Sequence, residues 1–585
     1  MNFISIPGAL IFNPAASHEK VLWIAARKFG SQVCLTKAHS SGINSVMPLF
    51  NISSILRAFL FLVLVTGQTF ADPQKRNLLS FSLLAPTQNF LSSSDTSWRD
   101  SFQFPYLKKF LNLTGEDALK LPDTLRTLLR LYDEIESSRI KRVSGGTDRL
   151  LRHLQEARER LGRLYPNLNT NRPIFMFRSE DLRDGLFQDP SVSKEFDLDT
   201  AKAIIDFMVY NGSIRISVGF SNTERFDFNF ELVRYAQEQG YLDAGVKVDL
   251  IARSLDADLD PAITIKNRLN LKTDQLRIML FNPINEIRIH RGAAAQKAQV
   301  GAAIEKIVSN GLGVLYGVED GTRTEMAGLL EMYRMAYDKG ARVFFIADTV
   351  GDVAHDEDVR ELVEAIRKII GDSELGWHGH NDGSRSEANA IAALSSGADY
   401  VDTTLFRTGE RAGNIDAGIL LLQFSTRLPL RKAILGPDFH YGLWIPFGEA
   451  LIRKLHIDVH PKHPFWGADI TTHIAGIHAS AILKGMTHED PLQQVLSELV
   501  YSAGLFTLWG KAASTKISTA SGAANIRLLL LRHGISLEKP EDYKSLYDWA
   551  QAQLKTLREA DGTRFLPDET TLRGIRVLNL VHTSS

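Results

Sequence analysis

The sequence predicts an α/β protein whose centre is a (β/α)8 TIM barrel, set between an N-terminal helical extension and mainly helical C-terminal subdomains. Three observations predict it. Short apolar runs alternate with longer amphipathic ones eight times within residues 171–430, which is the pattern of repeated strand and helix units. Several of the helical patterns close on glycine. Acidic, basic and imidazole side chains gather just after the strand-like runs, where the loops of a barrel would surround one mouth. A doubly wound open sheet shares the first two features, and the third favours closure.

The elements follow in order. Residues 1–71 hold one acid, Glu19, against five Lys and Arg residues, which separates them from the evenly charged remainder, so they read as a targeting-like or mis-started segment. From Met47 the chain runs through Arg57 into the apolar core Ala58–Val65 and reaches Thr69–Ala71, the layout of a secretory signal peptide. An organellar transit peptide and a short helix buried against the body compete with that reading. The core is too short to span a bilayer, and no other stretch reaches the ~18 apolar residues that a span requires.

Residues 72–170 read as a Ser-rich linker and then helices, with apolar residues at helical spacing in "LPDTLRTLLRLYDEI" and "TDRLLRHLQEARERLGRL" and Thr147 as an N-cap. They are expected to pack on the main domain or on a partner subunit. Barrel strands are expected at 173–177, 214–220, 246–252, 276–281, 313–318, 343–348, 375–380 and 400–406. Residues 431–585 complete the chain as helical subdomains.

Lys plus Arg is 67 and Asp plus Glu 68, so charge gives no reason to expect a nucleic-acid partner. The only cysteine, Cys34, excludes intrachain disulfides and a catalytic thiol in the body of the protein.

The segment "GWHGHNDG" places His378 and His380 two residues apart. In a strand both imidazoles share a face, although that spacing alone fits a polar loop as well as a metal site. Its surroundings carry more. "LRDG" (182–185), "EDGTR" (319–323), "ADTVG" (347–351), "HGHND" (378–382), "GERAGN" (409–414) and "GIHASAIL" (476–483) occur in that order. The chain thereby resembles the isopropylmalate synthase and homocitrate synthase family, a branch of the metallolyase TIM barrels, over about residues 173–540.

The resemblance implies a condensation of acetyl-CoA with a 2-oxo acid, followed by thioester hydrolysis, on one divalent metal ion (Zn, Mn, Co or Mg). It implies Asp184, His378, His380 and Asn414 as metal ligands, a mixed N and O set that leaves positions open for substrate. Arg183 is implied as the group that stabilises the alkoxide, His478 as the base for the acetyl-CoA methyl group and Glu319 as its helper. Thr349 is expected to hold the acceptor's carboxylate, and Glu410 and Arg411 to pair and brace their loop. Gly409 and Gly413 would let backbone approach the ligand. His478 lies outside the barrel and belongs, in the family pattern, over a neighbouring subunit's mouth, so a homodimer is expected.

The chain departs from the family pattern at several points. Gln188 stands one residue late after "RDG", Arg407 and Thr408 replace a Gly-Leu, and the tyrosine expected near His488 is missing. Arg385 and Arg407 are open to two readings, as receptors for a second carboxylate or as surface charges. A hydroxymethylglutaryl-CoA lyase would need a cysteine in its mobile loop. A metal-dependent aldolase of the same superfamily and a noncatalytic metal-binding barrel are the alternatives. The chemistry leads one to expect a cytoplasmic protein, against the signal-like layout of residues 47–71.

Overall fold

The computed structural model of the protein describes five strand segments between residues 2 and 46, and residues 97–584 apart from 115–118, 143–144, 190, 191, 193–195 and 285–292. The chain divides into two compact units, residues 1–90 and 91–585. In the first, β1 (Asn2–Ile6), β2 (Ala9–Asn13), β3 (Trp23–Phe29), β4 (Gln32–His39) and β5 (Gly42–Val46) form an antiparallel sheet in sequence order. Reading residues 1–71 by charge alone did not anticipate these strands. The signal-like stretch 47–71 lies outside the described residues.

In the second unit, β6 (Phe177–Ser179), β7 (Arg215–Phe220), β8 (Lys247–Ala252), β9 (Leu276–Pro283), β10 (Gly313–Glu319), β11 (Val343–Asp348), β12 (Glu374–Gly379) and β13 (Tyr400–Thr403) close into one barrel. The closing pair is β13 with β6, parallel, with Val401, Asp402 and Thr403 opposite Phe177, Arg178 and Ser179. That pairing rules out the open sheet.

Six strand positions agree with expectation to within about two residues, and two differ. The run 173–177 was expected as a strand, yet Ile174–Met176 form a buried turn, closed by Phe177 N donating to Ile174 O at 2.9 Å, and β6 starts only at Phe177. A short apolar run reads alike whether it is a buried strand or a buried turn. The eighth strand stops at Thr403, because Phe406 and Arg407 adopt φ of 62° and 59° in the turn that leads to the mouth.

The apolar faces of strands and helices make one large core around the barrel wall, but much of the barrel interior is ionic. Arg178, Arg215, Arg277, Asp249, Glu374 and Asp402 come from six different strands and are all buried. Arg277 binds Asp249 at 2.7 Å, Arg178 binds Asp402 at 2.5 Å and Glu180 at 2.6 Å, and Arg215 pairs with Glu374. Charges this deep persist only when paired. An apolar layer of Ile251, Met279, Leu315, Val343 and Phe345 packs with Tyr400 against them.

The helical extension packs on the barrel. Helix Pro105–Phe110 points two N-terminal amides, Tyr106 and Leu107, at the Asp206 carboxylate (2.9 and 3.1 Å), which also accepts from Tyr235 and Tyr241 at 2.6 and 2.7 Å. An anion at a helix start satisfies otherwise unpaired N–H groups. Helix Asp123–Ser138 is held by Arg431, which reaches Asp133 and Glu136 at 2.6 and 2.7 Å. Helix Gly145–Leu164 begins two residues before Thr147, which is therefore inside the helix and is not its N-cap. Arg160 of that helix pairs with Asp399 at 3.0 Å, just before β13.

Beyond the barrel the chain is mainly helical, as expected. Helices Ala523–Arg532, Pro540–Asp561 and Asp568–Val577 share a second small core around Ile526, Leu530, Leu546 and Leu554. Among the described residues, no helix is long and apolar enough to cross a membrane.

Candidate metal centre

Three segments bring the candidate ligands together at the C-terminal ends of β6, β12 and β13. After β6 the chain turns tightly, and Glu180 O accepts from Arg183, Asp184 and Gly185 amides at 3.1, 2.9 and 2.9 Å. Gly185 is required there, since a Cβ would stand 2.8 Å from the Thr404 methyl group and 2.9 Å from Asp181 Cα. Asp184 is thus delivered into the mouth. His378 closes β12, and His380 follows it in an antiparallel bridge to Asn414. The loop carrying Asn414 depends on Gly413, where φ is +78° and a Cβ would collide with Arg407 O at 1.7 Å.

Asp184, His378, His380 and Asn414 are all buried. Asp184 Oδ2 lies 3.6 Å from His378 Nε2 and 3.7 Å from His380 Nε2, and one ligand atom from each of the three residues falls within 4.8 Å of the others. These gaps are too long for hydrogen bonds. They suit donors sharing a cation, because two ligands each ~2.1 Å from an ion sit about 3.0–3.6 Å apart at ordinary coordination angles. Asp184 Oδ2 and Asn414 Oδ1 are buried without hydrogen-bond partners among the described residues. Orphaned polar atoms converging in one place mark a position for an ion. The donor set fits a divalent metal.

The electrostatics agree. Burial pushes the Asp184 carboxyl up, but Arg183, His378, His380 and Asn414 outweigh it and hold it at about 2, so it stays ionised. Burial, together with His378 and nearby arginines, pushes His380 down to about 4, which keeps its imidazole neutral and able to ligate. His378 Nδ1 lies 3.0 Å from Asp402 Oδ2. Burial raises the Asp402 carboxyl, yet Arg178 and His378 carry it below its ordinary value, so its oxygen is available to accept from His378 Nδ1.

Arg183 donates through Nε to Glu180 at 2.7 Å and stands 3.5 Å from Asp184 Oδ1. Its closest carboxylate is therefore Glu180, and its Nη2 is buried with no hydrogen-bond partner among the described residues. Glu319 is half-buried at the end of β10. Thr349 Oγ1 accepts from Asp320 N at 2.7 Å, which leaves its own O–H to donate. Arg411 does pair with Glu410, at 3.4 Å, but its closer partners are Asp382 at 3.0 Å and Thr349 O at 2.6 Å, so it laces three loops together. Arg407 pairs with Glu387 at 2.9 Å and Arg385 with Asp356 at 2.6 Å.

His478 stands apart from this group. It lies on helix Gly476–Met486, its ring stacked on Tyr501 at 3.9 Å and 6.1 Å from that of His473. Tyr501 thus faces the imidazole, whereas the sequence pattern led one to look for a tyrosine near His488.

Sequence reasoning missed Asp402, Arg178 and Glu180. The available signal was a charged residue inside or beside a strand pattern buried on both faces, as in "FRSED" and "YVDTT". Asp348 was also passed over. It is buried at the end of β11 with Oδ2 unpartnered, and burial pushes it up to about 6.

Residues 175–433 match the HMGL-like family. A homocitrate synthase of Methanopyrus kandleri is 30% identical over 241 residues, 41% of this chain and 55% of that protein. A probable 2-isopropylmalate synthase of the same organism is 28% identical over 319 residues, 53% of this chain and 59% of that protein. The chain thus spans little more than half the length of these two curated relatives. Among solved structures, the HMG-CoA lyase of Brucella melitensis covers 44% of this chain and 96% of its own, at 16% identity and a TM-score of 0.35.

Proposed function

Taking residues 175–433 as an HMGL-like domain, we propose that the protein condenses acetyl-CoA with a 2-oxo acid and then hydrolyses the thioester, as an acyltransferase akin to the homocitrate and 2-isopropylmalate synthases. The observation that carries this reading is the convergence of Asp184, His378 and His380 beside the unpartnered end of Arg183. Asp184, His378, His380 and Asn414 would hold one divalent ion (Zn, Mn, Co or Mg), which supplies Lewis-acid polarisation of a ketone chelated through its carboxylate.

The side chains account for the remaining needs. Arg183 has a free N–H to give to the oxygen on which negative charge develops, and its Glu180 anchor keeps that N–H directed without neutralising it at the reacting atom. Thr349, with its O–H unused, donates to the acceptor's carboxylate at the end of β11. Gly413 lets its backbone pack against Arg407 O, and Arg411 ties the Glu410–Arg411 loop to Thr349 O, so this loop would flank the bound acid. A weakly acidic methyl group needs a base, and His478 is the candidate, assisted by Glu319. Because His478 lies outside the barrel on helix Gly476–Met486, stacked on Tyr501, it would serve the mouth of a second copy in a homodimer.

The test is thiol release from acetyl-CoA with a panel of hydrophobic and dicarboxylic 2-oxo acids, with and without a chelator. Acceptor-dependent release that a chelator abolishes and added metal restores is expected. Metal binding without thiol release for any acceptor would overturn the synthase reading in favour of a noncatalytic barrel, and cleavage of a hydroxy-acid product without acetyl-CoA would indicate an aldolase.

A further inference from the structure

A continuous line of buried charges joins the metal site to the alkoxide site through the barrel interior. Arg183 Nε meets Glu180 Oε2 at 2.7 Å, and Glu180 Oε1 meets Arg178 Nη2 at 2.6 Å. Arg178 then grips Asp402 with two bonds, Nε to Oδ1 at 2.9 Å and Nη2 to Oδ2 at 2.5 Å. Asp402 Oδ2 finally meets His378 Nδ1 at 3.0 Å. Arg178, Glu180 and Asp402 have at most 2% of their surface exposed, so water does not replace any link.

We propose that Arg178, Asp402 and Glu180 are positioning residues which set the tautomer of His378 and the direction of Arg183 from a single buried guanidinium. This inference takes His378 as a metal ligand and so rests on the reading above. Arg178 holds Asp402 through two donors of its rigid planar fork, which leaves that carboxylate little freedom to turn. The same Nη2 stands in ion-pair contact with Glu180 Oε1, which has no hydrogen-bond partner among the described residues. Asp402 can only accept a proton from Nδ1, so Nε2 is left bare on the Asp184 side, 3.6 Å from Oδ2. Glu180 spends its second oxygen on Arg183 Nε and leaves Arg183 Nη2 pointing onward with no partner. Ligand and alkoxide donor are thereby held in register with each other, although they lie on opposite sides of the β13–β6 seam.

Asp402→Asn tests the idea sharply. Arg178 meets both Asp402 oxygens, but its Nη2 also has Glu180 Oε1 within 2.6 Å whereas its Nε has Oδ1, so the single amide oxygen belongs at the Oδ1 position and the NH2 takes the place of Oδ2. The amide NH2 then faces His378 Nδ1, which must become an acceptor, and the ring proton moves to Nε2, the nitrogen a metal needs. Two measurements on the full chain read this out. Histidine 15N spectra of the metal-free protein should show His378 as the Nδ1–H tautomer in the wild type and as Nε2–H in Asp402→Asn. Titration with Co2+ alone, followed by its visible absorption, should show affinity weakened 10–100-fold in Asp402→Asn. In Glu180→Gln the affinity should stay within a few-fold.

A wild-type His378 found as Nε2–H overturns the proposal whether or not any variant folds. So does an Asp402→Asn protein that melts lower but binds Co2+ as the wild type does, since that is what a purely structural charge pair would give. A wild type that fails to bind Co2+ yet shows the expected tautomer switch would instead overturn the metal reading and leave the positioning role standing.

Discussion

His378 turns Nδ1 to Asp402 at 3.0 Å and presents Nε2 to Asp184 at 3.6 Å, so one imidazole stands between a carboxylate at hydrogen-bond distance and one beyond it. The first contact makes the second useful. An ionised Asp184 beside the neutral His380 brings lone pairs together that a cation lying among them would satisfy.

Removing those lone pairs should abolish metal binding without unfolding the barrel. Exchanging both His378 and His380 for alanine is expected to eliminate stoichiometric binding of a divalent ion, measured by calorimetry and metal analysis. The far-ultraviolet circular dichroism should be retained, because both rings stand at the C-terminal end of β12 and just beyond it, at the barrel mouth.

Arg183 makes the opposite separation. Replacing it with glutamine should lower turnover by about 100–1000-fold, the range seen when one donor to a developing oxyanion is lost, while metal content stays near the wild-type value. Steady-state kinetics beside metal analysis of the same preparation checks this. An equal fall in both would reduce Arg183 to a partner of Glu180 and Asp184.

For His478 the informative measurement is exchange of the acetyl-CoA methyl protons with solvent, which should slow specifically when it becomes alanine. If the base acts across a dimer, mixing His478→Ala with Arg183→Gln should recover part of the activity, since some mixed dimers then carry one complete site. No recovery in verified mixed dimers would mean that His478 serves its own barrel or does not act in catalysis.

The ionic barrel interior predicts a large stability effect far from the chemistry. Arg277 is bound to Asp249 at 2.7 Å and faces Glu374 at 3.5 Å, with no exposed surface. Arg277→Met leaves those acids undercompensated and should cost about 3–5 kcal/mol in denaturant unfolding. A loss below about 1 kcal/mol would mean that the network reorganises freely.

Acid sensitivity should trace in part to His440. Burial pushes its imidazole down from 6.5 to about 4. Above pH 6.5 the folded and unfolded chains are both neutral at this position and its contribution to stability is complete. As pH falls from 6.5 towards 4, the unfolded chain takes up a proton that the folded one refuses, and stability drops by up to about 3 kcal/mol. In His440→Gln the fall of unfolding free energy with acid should be shallower over that interval.

Local pattern carried far into this protein. Alternating runs announced eight strands, and the clustering of "LRDG", "HGHND" and "GERAGN" after three of them marked one mouth as the candidate site, because turn glycines and strand-end side chains are specified by neighbours within a few residues. The same logic failed at Ile174–Met176, where burial is equal for a turn and a strand and no alternation distinguishes them. It also failed at Thr147, since a helix start depends on which amides remain unpaired.

By itself, the sequence determined the barrel's strand order along the chain and the charge balance, which follow from residue type and short spacing, and its ordered motifs carried the family resemblance that implies the four candidate ligands. Only the tertiary structure decided that the sheet closes through β13 and β6, that the interior is ionic, and that His378 is oriented by Asp402 and Arg183 by Glu180. Arg178 and Asp402 are 224 residues apart in sequence. Nothing near either one specifies its partner; a charge buried inside a strand has to be met by another, and closure of the barrel selects which.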